Sequence, residues 1–314
     1  MRLPIRASEI EENITDVSYD AIIGAVGYEQ RAPHIAQQSN LASIGVKVAC
    51  AFREPRGGHF DANLAWFDLH EFDVFHASDF EFEGWLRSVV LEKCLSLGRD
   101  NLRIAIDISC FNRYRLACLV EFLAKPELEC ITETDFWYAI AKFDPPGVHE
   151  ELNTLIGPIN SRFGGWFVDS DRPTIGILGL GYEDGKALGA VEHLEISDIW
   201  CWLPDSPIPE YLPEVRQANR VLLSEVPTLK HVMYSLSRPA ETLTRLVAMA
   251  SNLSAHNNVM LLPFGPKMFS LVSILVSLIQ PAIAVWRVSA KESLSPVNRV
   301  ASGRDVGLRI GWRK

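Results

Sequence analysis

The chain has 314 residues, 48% hydrophobic and 22% charged, an ordinary globular composition that excludes a disordered or low-complexity protein and supplies a sizeable core. A net charge of −9 excludes a broad nucleic-acid-binding surface, since binding to phosphate backbones needs many Lys and Arg contacts, and leaves room only for a local basic pocket. The N-terminal MRLPIRASEIEEN lacks a signal-peptide core, and the longest apolar stretch, Met268 to Ile279, is too short for a bilayer and is interrupted by Ser270, Ser273 and Ser277, so the expectation is a cytoplasmic protein with no membrane partner.

In chain order, Ala21 to Val26 reads as a strand and Arg31 to Ser39 as its helix. Gly45 to Phe52 is a second strand ending at Arg53, followed by the loop EPRGGH, a helix over His59 to Leu69 and a short strand over Phe72 to Phe75. Trp85 to Leu97 has the apolar spacing of one helix face. Leu102 to Ile108 is a continuous apolar strand that ends in a polar turn through Asp107, Ser109, Asn112 and Arg113, with an apolar helix from about Tyr114. A strand over Phe136 to Lys142 precedes a Pro- and Gly-rich connection from FDPPG to Trp166, with a short helix near Glu150 to Leu155.

The same order then recurs. Thr174 to Leu180 is a strand and Gly185 to Leu194 a helix; Ile199 to Leu203 and Glu210 to Leu223 are the next strand and helix, then His231 to Leu236 and Ala240 to Ser254. Asn258 to Leu262 leads through Pro263, Gly265 and Lys267 into another apolar helix, and Ala282 to Val288 and Gly307 to Trp312 are late strands, the last an edge. A slide of 154 positions lays Gly27-Tyr28-Glu29 on Gly181-Tyr182-Glu183, Ile104 on Asn258, Cys110 on Phe264 and Arg113 on Lys267. One shift that registers two strand-turn-helix units points to an internal duplication. The expected fold is α/β, with two similar Rossmann-like halves of mostly parallel sheet, residues 1–157 and 158–314.

Ligands of such sheets bind at the carboxyl ends of the strands, beside helix N-termini whose free N–H groups suit an anion. Gly27 and Gly181 end strands and either make the turn or let a ligand approach. Tyr28 and Tyr182 either stack on a base or pack on the sheet edge. Glu29 and Glu183 either orient a hydroxyl, act as bases or complement a helix dipole. Arg113 and Lys267 stand at or near helix starts, where a cation is unfavourable unless an anion accompanies it, so they are read as phosphate-binding residues with Arg53 and Arg56 on one rim. Asp107 and Ser109 fall opposite Leu261 and Pro263, so the halves have diverged in chemistry. GxGxxG is absent, which argues against an ordinary dinucleotide cofactor, and neither HExxH nor CxxC occurs, so no metal site is expected. The six cysteines read as reduced, packed thiols; Cys110, in the turn before a helix, is the one candidate for reactivity.

The stretch PFGPKMFSL resembles the fourth-strand motif of CARF domains, the CRISPR-associated Rossmann folds, through Gly265, Lys267 and Met268, with Arg113 as an echo; two such units in one chain resemble the SAVED arrangement. The resemblance implies a small anionic nucleotide, such as a cyclic oligonucleotide signal, bound between the two units of a sensor or of a partner subunit for an effector protein in antiviral defence. The first half departs from the pattern, with DISCFNR in place of a glycine and threonine pair, and no nuclease segment is evident. Two other classes stay open: a nucleotide- or nucleoside-processing enzyme using Asp107 and Glu29, and a protein-binding scaffold.

Overall fold

Hydrophobic runs flanked by turn residues build two sheets in a computed structural model that describes residues 5–53, 57–145, 155–165, 171–289 and 297–313. The chain divides into two compact units, Met1–Lys142 with Ser295–Lys314, and Phe143–Leu294. The division expected after residue 157 differs from this: residue 157 lies within a strand of the second sheet, and the C-terminal strand belongs to the first.

The first unit runs β1 (Ile5–Glu9), β2 (Ala21–Val26), α1 (His34–Gln38), β3 (Val46–Phe52), α2 (Phe60–Leu69), β4 (Asp73–Ala77) and α3 (Asp79–Trp85). It continues through a π-helical segment, Leu86–Leu91, into α4 (Glu92–Ser96), β5 (Leu102–Asp107), α5 (Arg113–Leu123) and β6 (Ile131–Ala141). The second unit runs β7 (Leu155–Pro158), β8 (Thr174–Gly179), α6 (Lys186–His193), β9 (Asp198–Asp205), α7 (Tyr211–Ala218), α8 (Arg220–Glu225), β10 (His231–Ser235), α9 (Pro239–Ser254), β11 (Asn258–Pro263), α10 (Lys267–Ile279) and β12 (Ala284–Ser289). The chain then returns to the first sheet as β13 (Ala301–Trp312).

The sheet orders are β1-β13-β6-β5-β2-β3-β4 and β10-β9-β8-β11-β12-β7. Strands β2 to β6 are mutually parallel, as are β8 to β12, and each parallel set ends against an antiparallel strand, β13 on β6 and β7 on β12. Both units thus share one strand order, β4-β3-β2-β5-β6 matching β10-β9-β8-β11-β12. The 154-residue slide holds here to within a residue: Ala21 pairs with Ile104 and Thr174 with Asn258, while the slide lays Ala21 on Ile175.

Continuous apolar strands are covered on both faces, as parallel sheets require. β2 is buried throughout, and Phe60, Phe67 and Trp137 pack with Ile22 and Val26 in the first core. α10 is buried from Met268 to Ser277, which explains its apolar sequence; Ser273 returns its hydroxyl to the Phe269 carbonyl at 2.8 Å and Ser277 to that of Ile283 at 2.6 Å. No described helix is long and apolar enough to cross a membrane.

Three expected helices differ, and a fourth lies mostly outside the described residues. The helix expected over Trp85 to Leu97 opens earlier, because Ser78 and Glu81 form a capping box at Asp79, and it passes through the π-helical turn. The helix expected from Arg31 starts at His34, behind Pro33. The helix expected over Glu210 to Leu223 is two helices, broken at Asn219, whose amide is drawn to other carbonyls. Most of the short helix expected near Glu150 to Leu155 lies outside the described residues, and Leu155 itself opens β7.

Gly307 to Trp312 belongs to a longer strand that is internal, between β1 and β6, and not an edge. Its place is held by Asp135 on β6, a fully buried carboxylate. Asp135 accepts from Arg309 Nε at 2.8 Å, Arg103 Nη2 at 2.8 Å and the Tyr19 hydroxyl at 2.9 Å, and Trp137 Nε1 donates to that hydroxyl at 2.9 Å. Removing the anion leaves two guanidinium groups facing each other in a partly buried site. Asp135→Ala is expected to destabilise the first unit by about 3 kcal/mol, read as a fall in its urea-unfolding midpoint with the second unit's transition unmoved.

Candidate functional site

In both sheets the order reverses between two neighbouring strands, β2 beside β5 and β8 beside β11. Helices that follow strands on either side of such a reversal depart to opposite faces and leave a crevice at the carboxyl ends. Gly27 and Cys110 sit at this point in the first unit, where a Cβ on Gly27 would lie 3.3 Å from that of Cys110. In the second unit a Cβ on Gly181 would lie 2.9 Å from the Phe264 carbonyl oxygen, and one on Gly265 would lie well inside van der Waals contact distance of the Leu180 oxygen. The neighbours Gly27–Cys110 and Gly181–Phe264 are the pairs that the 154-residue slide superposes.

A buried asparagine holds each glycine turn. Asn63 on α2 donates Nδ2 to the carbonyls of Gly27 and Glu29, both at 2.8 Å. Asn219, at the break between α7 and α8, donates Nδ2 to the carbonyl of Gly181 at 2.7 Å and to that of Val215 at 2.8 Å. Each amide is 4% exposed. The slide misses this correspondence by two residues, which is why neither was singled out in the sequence.

The following helices begin alike. α5 starts at Arg113 and α10 at Lys267, both half-buried, and neither helix has an acidic residue in its first turn. They differ in their caps. Asn112 Oδ1 accepts from Arg115 N–H at 2.8 Å and its amide donates to Asp79, so Asn112 is a structural cap in the first unit. Pro266 precedes α10, and no side chain caps it.

Behind the first turn lies a polar array centred on Ala139 of β6. The Ala139 N–H donates to Ser109 Oγ at 2.9 Å, and its carbonyl accepts from Arg31 Nη1 at 2.6 Å. Arg31 also bonds Glu29 Oε2 through Nε at 2.6 Å and the Ser109 carbonyl through Nη2 at 3.4 Å. Asp305, opposite Ala139 across the β6–β13 ladder, holds His34 Nε2 at 3.1 Å. Asp107 ends β5 with Oδ1 accepting from Ser109 N–H at 2.8 Å. Burial pushes its carboxyl up to about 6, against the opposing pull of Ser109, Arg31 and His34. His34 is raised above the ordinary histidine value, mainly by its bond to Asp305 and against its own burial.

The remaining expected residues are placed as follows. Ser109 is fully buried with its hydroxyl engaged internally, so it supports Asp107 and Ala139. Tyr28 is partly buried, and burial together with Glu29 and Cys110 raises its hydroxyl to about 12. Tyr182 packs 5.6 Å from Tyr211, whose ring meets Phe143 edge-on at 5.3 Å. Glu183 is exposed and pairs with Lys186 at 3.0 Å, unlike its counterpart Glu29, which is bound to buried Arg31. Arg53 pairs with Glu81 at 3.0 Å, and Arg56 lies outside the described residues. All six cysteines are reduced, four of them buried. Among the described residues no group of three His, Cys, Asp or Glu is placed to hold a metal ion.

Arg31, His34 and Asp305 escaped the sequence reading. Their one local trace is the Glu29–Arg31 spacing, whereas His34 and Asp305 are separated by nearly the whole chain and carry no mutual signal.

Two outcomes test this geometry. Gly265→Ala is expected to lower stability by about 2 kcal/mol, because its methyl meets a backbone carbonyl that cannot move aside, while Gly27→Ala, whose methyl makes a tight contact with the Cys110 side chain that a small shift of that side chain relieves, costs less than about 1 kcal/mol; differential scanning calorimetry compares them. Asp107 is held above its unfolded value, so its ionisation penalises the folded state above pH about 6, and the penalty disappears as pH falls through 6 towards 3.8. Asp107→Asn is therefore expected to stabilise the protein by about 2 to 3 kcal/mol at pH 7.5, with the advantage vanishing by about pH 4 in urea titrations.

Compared with known proteins, the sequence matches no family model and no curated protein.

Proposed function

We propose that the protein binds a small anionic nucleotide at the carboxyl ends of its central strands, through the helix starts at Arg113 and Lys267. One observation carries this reading: at the switch point of both sheets the helix opens on a cation and has no acid in its first turn. A cation there opposes the helix dipole, and a bound phosphate reverses the balance by accepting from the helix N–H groups and pairing with the side chain. No side chain caps α10 at this point.

The shared strand order and the single slide support descent of both units from one duplicated ancestor. The resemblance to CARF domains makes a cyclic oligonucleotide the specific ligand to try first, and a sensor or partner subunit acting with an effector protein the role that follows.

Native mass spectrometry of freshly purified protein is expected to retain a nucleotide mass. In calorimetric titrations with cyclic oligoadenylates, Lys267→Ala and Arg113→Ala are each expected to weaken binding about tenfold, or about 1.4 kcal/mol. Unchanged affinity in both variants sinks the phosphate-binding role.

A further inference from the structure

The second unit is an internal control for the first. It builds the same parallel strand order, yet among the described residues every buried charged side chain, Arg31, Asp107, Arg115 and Asp135, lies in the first unit, and the buried polar residues of the second are all uncharged. The fold therefore does not require buried charge at its switch point, and burying it has a desolvation cost. Two of the four have structural explanations. Asp135 fastens β13. Arg115 bonds Asp79 at 2.8 Å and the Ala77 carbonyl at 2.6 Å and lies 3.9 Å over the Phe52 ring, joining α5 to α3, β3 and β4.

The array of Arg31 and Asp107 with Glu29, His34 and Asp305 has no charged counterpart among the described buried residues of the second unit, and although Arg31 ties the turn to the Ala139 carbonyl at 2.6 Å, that bond does not account for Asp107, His34 or Asp305. It stands where ligands of this fold bind, and ionisable groups concentrated there against their solvation preference are a mark of chemistry. Within it, His34 is arranged as a proton carrier. Asp305 Oδ1 and Oδ2 lie 3.1 and 3.2 Å from Nε2, which fixes the ring, and Nδ1 has no hydrogen-bond partner among the described residues. The side chain is 16% exposed, buried enough to be held yet reachable. A carboxylate on one ring nitrogen with the other available is the arrangement of a histidine that takes and returns a proton. The slide puts Leu188 opposite His34, and β7, the antiparallel strand that stands in the second sheet where β13 stands in the first, reads Leu-Ile-Gly-Pro and carries no carboxylate to match Asp305.

We infer that the first unit's switch point hydrolyses a phosphoester bond of its bound nucleotide, with His34 as the proton-transfer group oriented by Asp305, while the second unit's switch point binds without chemistry. This rests on the nucleotide-binding reading. A water oxygen bonds to phosphorus as its proton passes to His34 Nδ1. The bond from phosphorus to the leaving oxygen breaks, and that oxygen takes the proton back from the imidazolium. Water is the only co-reactant, and the products are an alcohol and a phosphate, each atom accounted for.

The groups facing the imidazole are Asp305 from β13, Asp107 from the end of β5 and Arg31 from the turn before α1. The two carboxylates outweigh the guanidinium, so the rate is expected to rise with pH through an apparent pKa above the ordinary histidine value.

The test incubates the full chain with ATP, 3′,5′-cyclic AMP, a cyclic oligoadenylate and bis-p-nitrophenyl phosphate. Products are separated by chromatography, and binding of each probe is measured by calorimetry on the same preparation. Turnover of at least one probe is expected, with His34→Gln lowering kcat at least about 100-fold while KM and the melting temperature hold, and Asp305→Asn moving the rising pH limb downwards. Binding without turnover overturns this inference and leaves the binding proposal standing; neither binding nor turnover overturns both. Turnover that survives His34→Gln overturns the role of His34.

Discussion

Two parallel strands lie side by side at the middle of each sheet, and the chains leaving them must pass at backbone distance before their helices diverge. That constraint sets the rest of the structure. It calls for a glycine at residue 27 beside Cys110 and at residues 181 and 265 beside Phe264 and Leu180, and it places the first turns of α5 and α10 at the crevice. It also exposes turn carbonyls that need donors, which Asn63 and Asn219 supply from buried positions. A buried carbonyl without a donor would cost about 1 to 3 kcal/mol, so these amides belong to the construction of the turn as much as the glycines do.

The units meet this constraint with different chemistry. The second closes its turn with Pro263, Gly265 and Pro266, packs α10 with an apolar face and leaves the helix start to Lys267. The first places Asp107 at the strand end, supports it with Ser109 and threads Arg31 between Glu29 and the β6 backbone. Strand β13 extends this further, because, unlike its acid-free counterpart β7, it brings Asp305 to His34, and it is itself secured by the buried Asp135. The C-terminal strand thus contributes both to the first sheet and to the polar array behind its central turn.

The helix starts show how weak effects combine. A single Arg or Lys at a helix N-terminus is worth only some tenths of a kcal/mol and would settle nothing. Here the cation recurs at the corresponding point of two units, without an acid in either first turn, at the place where the sheet order reverses. The coincidence of position, charge and topology is what supports an anion there.

The sequence by itself determined the parallel α/β class, the two-unit repeat and the carboxyl-end turns, because those depend on local patterns: continuous apolar runs, glycines at strand ends and helical spacing in Trp85 to Leu97 and Ala240 to Ser254. It also pointed to Asp107, Arg113 and Lys267, which carry their signal within a few residues of a strand end. Only the tertiary structure decided which sheet received residues 301–312, since an alternating strand does not encode its neighbour, and β13 is selected by the Arg309–Asp135 pair across 174 positions. The His34–Asp305 bond, the Asn63 and Asn219 clamps and the burial of Ser109 were decided there too. Each joins residues far apart in the chain, and hydrogen bonds of that range leave no periodicity to read.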